Sequence, residues 1–390
     1  MTILKQHIYP GIRASRLLVG ALALSLCLLL WGCEKADYEQ ERVAVRTVLF
    51  YLGGDNNLSP EVNARIKAVP LSPLCRVLIY TDTKDEPPML AEVVASPGGN
   101  TLDVVRQYSE SNSADAEVFA SVLREVLEFS PTPSYGLVLF SHATGWLPQG
   151  AYENPAGNFA RTATDATRSV VKDGTAEMEI PALAAAIPDG MFDFVIFEAC
   201  YMAGVEVAYE LKDKARYIVA SSAEIVSPGF SRCYSDALPY LNREQTDLRG
   251  FCRTVEADYA TRPDDYASLT LSLIDTKELD ALAAAVREIG LPAMDGTAGI
   301  QAFDRGGGRL FFDLENSYCG EIAGLDAATL EMALGRCVVW KTATAAFMPT
   351  YGGFEIAAHC GLTTSIPQER YVGLNEVYKT LAWYKAVTTK

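Results

Sequence analysis

FDFVIFEAC, residues 192–200, is a run of apolar residues interrupted by a single aspartate, and it ends in Glu198 and Cys200. An apolar run of this length is typical of a strand that is covered on both faces, as in a parallel sheet. The stretch therefore predicts a buried strand that presents a carboxylate and a thiol at its carboxyl end.

Similar apolar runs occur at five other places in the 390-residue chain, and helical patterns lie between them. The runs are RTVLFYL (46–52), RVLIYTD (76–82), YGLVLFS (135–141), RYIVASS (216–222) and SLTLSLID (268–275). The helical patterns are LSPEVNARIKAV, DAEVFASVLREVLEF, MEIPALAAAI and YMAGVEVAYELKD. Strands that alternate with helices predict an α/β/α sandwich with a mostly parallel central sheet.

The pattern changes near residue 266, which suggests two parts of the folded chain. We expect a core over residues 46–265 and a C-terminal subdomain over residues 266–390, packed on that core. The second part contains helical patterns at TKELDALAAAVREI, near DAATLEMALGRCVVWKTAT and at YKTLAWYKAV.

The first 32 residues have the pattern of a bacterial lipoprotein signal peptide. Three basic residues precede the short apolar stretch LLVGALALSLCLLLWG, which then breaks at Cys33. This break resembles a lipobox, which implies cleavage before Cys33 and lipid attachment to its thiol. We expect residues 33–45 to be a tether and the protein to be anchored in the bacterial cell envelope, on the outer membrane; the alternative is an uncleaved N-terminal anchor.

The charge of the chain disfavours nucleic acid as a partner. The formal net charge is −16, and removing residues 1–32 takes away three basic and no acidic side chains, which leaves 30 − 49 = −19. Phosphate binding needs clustered Lys and Arg, which this sequence lacks. Cationic partners are better suited to this charge.

Cys200 and His142 are the candidate catalytic pair. In open α/β sheets, ligands bind beyond the carboxyl ends of the strands. His142 follows the run 135–141 and Cys200 follows the run 192–198, so parallel neighbouring strands would bring both to one edge. A thiol nucleophile and an imidazole base require this arrangement.

The sequence also predicts a lowered pKa for Cys200. The thiol directly precedes the predicted helix YMAGVEVAYELKD, and a helix N-terminus favours an anion. His359 and Cys360 are adjacent as well, but consecutive strand residues point to opposite faces, so we interpret this second pair as structural.

Glu198 has two interpretations, which the sequence leaves open. A carboxylate at the end of a buried strand is costly unless a cation or a hydrogen-bond network meets it. It could lie at the floor of a substrate pocket and select Arg or Lys. Alternatively, it could form an internal ion pair with a basic residue such as Arg216.

SHATGW, FEACYMAGVEVAYEL and YIVASSAEIVSPGF together resemble the clostripain family of cysteine peptidases, in the caspase-like clan. The resemblance begins at LFYLGGDNNLS and covers nearly all the chain after the signal. It implies a caspase-like fold, a His142–Cys200 dyad and endopeptidase cleavage after Arg or Lys. Glu198 matches an acidic position of the family that is usually aspartate.

The resemblance extends to other site residues. It implies an oxyanion hole made by the backbone N–H groups of Cys200 and Ala143, where the family usually has glycine; we expect the Ala143 methyl to face the substrate channel and to strain the backbone. Glu224 is a second candidate substrate-binding residue. Self-cleavage within the family suggests Arg161, Arg168 or Lys172 as activation sites.

No cofactor is predicted, and two other functions remain open. Calcium dependence occurs within the family, and Asp165 or Asp173 could contribute ligands, although no EF-hand loop is present. One alternative is a catalytically impaired lipoprotein that binds basic peptides. Thiol redox exchange is another; it would favour a resolving cysteine near Cys200, and none is adjacent in the sequence, although Cys233 could fold close.

Overall fold

A nine-stranded sheet runs through the computed structural model, which describes residues 44–159, 170–318 and 325–389. The strands, including three short two-stranded pairs outside the main sheet, are β1 (Arg46–Gly54), β2 (Cys75–Thr83), β3 (Glu86–Ser96), β4 (Gly99–Gln107), β5 (Tyr135–Phe140), β6 (Lys172–Asp173), β7 (Ala176–Glu177), β8 (Phe192–Glu198), β9 (Ala215–Ala220), β10 (Thr270–Asp275), β11 (Phe312–Asp313), β12 (Val338–Ala343), β13 (Ala346–Phe347), β14 (Phe354–Glu355) and β15 (Thr363–Thr364). The order in the main sheet is β12-β10-β9-β8-β5-β1-β2-β3-β4.

The centre of the sheet is parallel, and its two sides are antiparallel. Strands β9, β8, β5, β1 and β2 pair in parallel, whereas β3, β4, β10 and β12 pair antiparallel with their neighbours. The predicted α/β fold with a mostly parallel sheet is confirmed. The hairpin β3–β4 was not predicted, because its half-polar strands lack a continuous apolar run.

Helices cover both faces of this sheet. They are α1 (Ser59–Ala68), α2 (Ala116–Phe129), α3 (Ile180–Ala186), α4 (Val205–Glu210), α5 (Tyr234–Ala237), α6 (Leu248–Tyr259), α7 (Leu279–Ile289), α8 (Leu325–Cys337), α9 (Val372–Tyr378) and α10 (Ala382–Thr388). None of the helices within the described residues is long and apolar enough to cross a membrane.

The side chains of the central strands divide between two hydrophobic cores. Leu49 and Tyr51 of β1 pack with α2 on one face, whereas Val48 and Phe50 pack with α1 and α6 on the other. This alternation follows from the two-residue period of a strand. Because both faces are buried, the central strands read as continuous apolar runs.

The part of the chain beyond residue 265 adds two strands to the same sheet. β10 pairs with β9, and β12 pairs with β10, so residues Ala44–Lys390 form one compact unit. The helix predicted near residues 326–344 is shorter than expected. The helix stops at Cys337, and the β-prone residues VVWKTA form the edge strand β12.

Candidate active site

His142 and Cys200 lie at the same edge of the sheet. Strands β5 and β8 are parallel neighbours in which Phe140 pairs with Glu198, and each candidate residue stands two positions beyond this pair. Both residues line one cavity of about 320 Å³. The adjacency on which the proposed pair depends is therefore present in the fold.

A glycine brings the loops after β5 and β8 into direct contact. Gly145 has a φ of +62°, and a Cβ atom built on it would lie 2.7 Å from the carbonyl oxygen of Tyr201. Tyr201, the residue after Cys200, itself has a positive φ of 61°. A side chain at position 145 would push the loop after β5, which contains His142, away from the loop after β8, which contains Cys200. Glycine is therefore required there.

Asn57 holds the ring of His142. The Nε2 atom of His142 lies 2.7 Å from Oδ1 of Asn57, in the loop between β1 and α1. Because an amide oxygen only accepts, Nε2 carries the proton and Nδ1 keeps its lone pair. Burial, reinforced by the positive charge of Lys172, lowers the pKa of His142 from its ordinary value, which favours the neutral ring.

Asn57 was not among the site residues predicted from the sequence, although a signal for it was available. The stretch GGDNN ends β1, and β1 lies next to β5 in the sheet. The rule that identified His142 and Cys200, that ligands bind beyond strand ends, applies equally to this loop.

Cys200 lies in a turn, not at a helix N-terminus. Helix α4 begins at Val205, so the predicted helix starting directly after the thiol is wrong. The Sγ atom accepts a hydrogen bond from the backbone N–H of Ile225 at 3.4 Å. Burial raises the pKa of Cys200 to about 12, so the prediction of a lowered pKa is also wrong for this state of the protein. The thiol is protonated here.

Glu198 forms a fully buried ion pair with Arg65 of helix α1. Nη2 of Arg65 lies 2.6 Å from Oε1 of Glu198, and Nε lies 3.2 Å from Oε2. The backbone N–H of Phe230 and the hydroxyl of Tyr234 donate to the same carboxylate. The charge of Glu198 is therefore satisfied within the protein.

The partner suggested for this carboxylate was wrong. Arg216 binds Asp275 through both guanidinium Nη atoms, on the far side of β9 from β8 in the sheet. The arginine that does meet Glu198 is Arg65, which comes from a helix 133 residues earlier in the sequence. No local pattern marks that contact.

The Arg65–Glu198 pair also fixes a wall of the cavity. Nη2 of Arg65 donates to the carbonyl oxygen of Pro228 at 3.1 Å. Gly229 has a φ of +67°, and a Cβ there would lie 2.2 Å from Oε1 of Glu198. The loop 227–230 thus packs directly on the ion pair, and only glycine fits at its closest approach.

Glu224 lines the same cavity and pairs with Arg305. The two form a bidentate ion pair, with Nε to Oε2 at 2.5 Å and Nη2 to Oε1 at 2.9 Å. Both side chains keep about a fifth of their surface exposed. No pattern in the sequence indicated Arg305, which lies 81 residues away in a Gly-rich segment.

The backbone at Ala143 lacks the predicted strain. Ala143 does not occur among the non-glycine residues with positive φ in the described part of the chain. Ala143 is 5 % exposed and belongs to the hydrophobic core, so the expectation that its methyl group faces the substrate channel was wrong. Neither its N–H nor that of Cys200 is used by a hydrogen bond within the described residues.

Other predicted site residues lie partly outside the described structure. Cys33, Arg161, Asp165 and Arg168 fall in the undescribed segments. Asp173 accepts a hydrogen bond from the backbone N–H of Ser113. Among the described residues, no cluster of His, Cys, Asp and Glu side chains suits a metal ion.

The other described cysteines and His359 do not line the cavity. The described cysteines other than Cys200 are buried free thiols, including Cys233, which donates to the carbonyl oxygen of Phe230. Nε2 of His359 lies 3.3 Å from Oγ of Ser222, and the thiol of Cys360 donates to the carbonyl oxygen of Leu362.

A caspase-like sheet with a histidine and a cysteine at adjacent strand ends defines a class of proteins, the cysteine peptidases of this fold. A sequence model of the clostripain family (Peptidase_C11) matches residues 51–295. The chain belongs to the clostripain family of cysteine peptidases.

Solved structures of the same family are similar over most of the chain. An inactive zymogen of a C11 protease from Parabacteroides distasonis is 29% identical, with a TM-score of 0.75, over 89% of this chain and 99% of that one. A secreted C11 cysteine protease from Bacteroides thetaiotaomicron, bound to an irreversible peptide inhibitor, is 27% identical, with a TM-score of 0.74, over 88% and 99%. A comparison with curated proteins found no match.

Proposed function

We propose that this protein is a cysteine endopeptidase that cleaves after basic residues through a dyad of Cys200 and His142. The observation that carries the proposal is the pairing of β5 with β8, which sets both residues two positions beyond Phe140 and Glu198 on one cavity. Membership of the clostripain family supports the same chemistry.

The proposed reaction begins with a protonated thiol. Because burial raises the pKa of Cys200 and lowers that of His142, the resting pair is neutral, and Nδ1 of His142 takes the thiol proton as substrate binds. Sγ then attacks the carbonyl carbon of the scissile bond, and the C=O electrons move onto oxygen. His142 returns the proton to the leaving amine as the C–N bond breaks, and water then hydrolyses the thioester.

Two backbone N–H groups are available to stabilise the oxyanion in this reaction. Those of Ala143 and Cys200 are not used by any hydrogen bond in the described residues. In acyl transfer, removing one such donor costs about 3 kcal/mol of barrier. Ala143 follows His142 in the loop after β5, so this loop supplies both the base, His142, and one hydrogen-bond donor for the oxyanion.

The preference for basic residues rests on Glu224 in this proposal. Glu198 was the first candidate from the sequence, but its charge is balanced by Arg65 in a pair that is almost completely buried. Glu224 lines the same cavity and remains partly exposed. A guanidinium or ammonium group on a substrate can therefore reach the carboxylate of Glu224, and a charge-assisted hydrogen bond would select it.

Activation and location complete the proposal. The related Parabacteroides distasonis protein is an inactive zymogen, and Lys172 lies in β6, shortly after an undescribed segment that contains Arg161 and Arg168. We propose cleavage after one of these residues as the activating step, without a required cofactor, and lipid attachment at Cys33 at the outer membrane.

A panel of fluorogenic peptides with Arg, Lys, Asp or Leu before the scissile bond tests the function. The wild-type protein is expected to cleave after Arg and Lys, and Cys200→Ala and His142→Ala are expected to abolish turnover. Cleavage after Arg that persists in Cys200→Ala would refute the assigned nucleophile. Mass spectrometry of the wild-type and Cys200→Ala chains would show whether self-cleavage occurs at the proposed basic residues.

A further inference from the structure

Arg305 lies where a basic substrate side chain would bind. Its guanidinium makes a bidentate pair with Glu224 on the cavity that also contains Cys200 and His142. The remaining nitrogen, Nη1, donates to the carbonyl oxygen of Tyr351 at 3.0 Å. Arg305 is therefore held by one carboxylate and one carbonyl, both within reach of solvent.

The two arginines of the cavity differ sharply in how easily they could be displaced. The side chains of Arg65 and Glu198 are 1 % and 0 % exposed, and separating them would leave each buried charge without its buried counter-ion, which is strongly unfavourable. Those of Arg305 and Glu224 are 22 % and 21 % exposed. Water reaches both groups after separation, so separating this partly exposed pair costs less than separating the fully buried one. Arg305 is the exchangeable partner.

We propose that Arg305 is a specificity-determining residue, which occupies Glu224 in the empty site and is displaced by the guanidinium of a substrate arginine. The proposal rests on the proposed preference for basic residues and deepens it. Arg305 acts as an internal competitor, because Glu224 can bind only one guanidinium in bidentate geometry.

This competition favours arginine over lysine. A substrate arginine replaces two charge-assisted hydrogen bonds with two equivalent ones, because its planar guanidinium matches a carboxylate. A lysine ammonium is a point charge and does not restore the same bidentate pair. A neutral side chain offers no exchange and leaves Arg305 in place. The predicted substrate class is thus a peptide with arginine before the scissile bond.

Arg305→Met tests the inference, with Arg336→Met as a matched control. Methionine removes the charge and retains an unbranched side chain. Arg336 is a half-exposed arginine of α8 that pairs with Glu278 and does not line the cavity. In Arg305→Met, the KM for an arginine substrate is expected to fall about tenfold with kcat within about twofold, and the preference for arginine over lysine is expected to narrow. Arg336→Met should match the wild type.

The opposite results would overturn the inference. A KM for the arginine substrate that is unchanged or higher in Arg305→Met would show that Arg305 does not compete with it. If the wild type and Arg336→Met cleave after Asp and Arg305→Met does not, Arg305 itself binds the substrate side chain, and the inference is wrong. Adding Glu224→Gln to the wild type and to Arg305→Met should make the two proteins equal in KM, since the group for which Arg305 competes is then gone.

A binding measurement separates failure of this inference from failure of the proposed peptidase activity. Agmatine, which carries a guanidinium, is used to protect Cys200 from alkylation by iodoacetamide, and the Cys200→Ser variant provides the background. Agmatine is expected to protect Arg305→Met at several-fold lower concentration than wild type or Arg336→Met. Equal protection of all three, or protection of none, contradicts the role of Arg305 whether or not any peptide is cleaved.

Discussion

The imidazole Nε2 of His142 lies 2.7 Å from the amide oxygen of Asn57. This contact sets the tautomer that leaves Nδ1 free to accept a proton, so Asn57 acts as a positioning residue for the base. It also connects the strand end of β1 to that of β5, its neighbour in the sheet.

Asn57→Ala is expected to lower kcat on the order of 10- to 100-fold, with KM within about twofold, because the ring of His142 loses its orientation. Asn57→Asp should restore part of kcat, since a carboxylate also accepts from Nε2. Its negative charge raises the pKa of His142, so the acid limb of the pH–rate profile should move to higher pH.

The control for this prediction is Asn63→Ala, on an exposed position of α1 away from the histidine. It should leave kcat and the pH profile unchanged. A wild-type kcat in Asn57→Ala, together with an unshifted acid limb in Asn57→Asp, would show that the contact does not position His142.

Breaking the buried pair at Glu198 should destabilise the protein. Glu198→Gln removes the buried partner of Arg65, whose remaining ion-pair partner is the partly exposed Glu61, and removing one member of a buried pair costs about 3–5 kcal/mol. Denaturant unfolding measures this loss. The double variant Glu198→Gln with Arg65→Met should recover part of it, because no buried charge then remains unpaired.

Glu92→Gln provides the comparison for the buried pair. Glu92 pairs with Arg76 at 2.6 Å, and both side chains are partly exposed, so its loss should cost less than about 1 kcal/mol. Similar losses for Glu198→Gln and Glu92→Gln would contradict the structural role assigned to Glu198.

Asp82→Asn should remove a pH dependence of stability. Burial, reinforced by the neighbouring carboxylate of Asp173, raises the pKa of Asp82 from 3.8 to about 7. The folded protein therefore binds a proton that the unfolded chain releases. The stabilisation that comes from this proton on Asp82 is complete below about pH 4, falls as the pH rises toward 7, and is lost above that.

Thermal unfolding between pH 4 and 8 measures this effect. Asp82→Asn should be more stable than the wild type at pH 8 and should lose less stability across this range. Asp85→Asn, at an exposed position nearby, should retain the wild-type slope. A wild-type slope in Asp82→Asn would show that another group titrates in this window.

Ala143→Gly is expected to give no gain in turnover, because Ala143 has no positive φ and its methyl is buried in the core. The extra backbone freedom of glycine should cost about 0.4–1 kcal/mol of stability. Gly145→Ala is the informative counterpart, since its φ is +62° and its Cβ would meet Tyr201. Gly145→Ala should reduce kcat strongly. A several-fold gain in the turnover of Ala143→Gly would instead support the hypothesis of backbone strain at Ala143.

The sequence by itself determined the central strands of the sheet and the positions of His142 and Cys200 at the ends of two of them. Central strands that are covered on both faces must be continuously apolar, so the runs ending at Phe140 and Glu198 were visible without a structure. The rule that ligands bind at strand ends then singled out His142 and Cys200. These inferences depend on local composition, which the sequence displays directly.

Only the tertiary structure decided what each polar side chain meets. The pairs Arg65–Glu198 and Arg305–Glu224 join residues 133 and 81 positions apart, and the start of helix α4 at Val205 depends on how the turn after Cys200 packs. The charge state of a thiol or carboxylate follows from burial and from its neighbours in space. Those neighbours come from packing between distant segments, which no local pattern encodes.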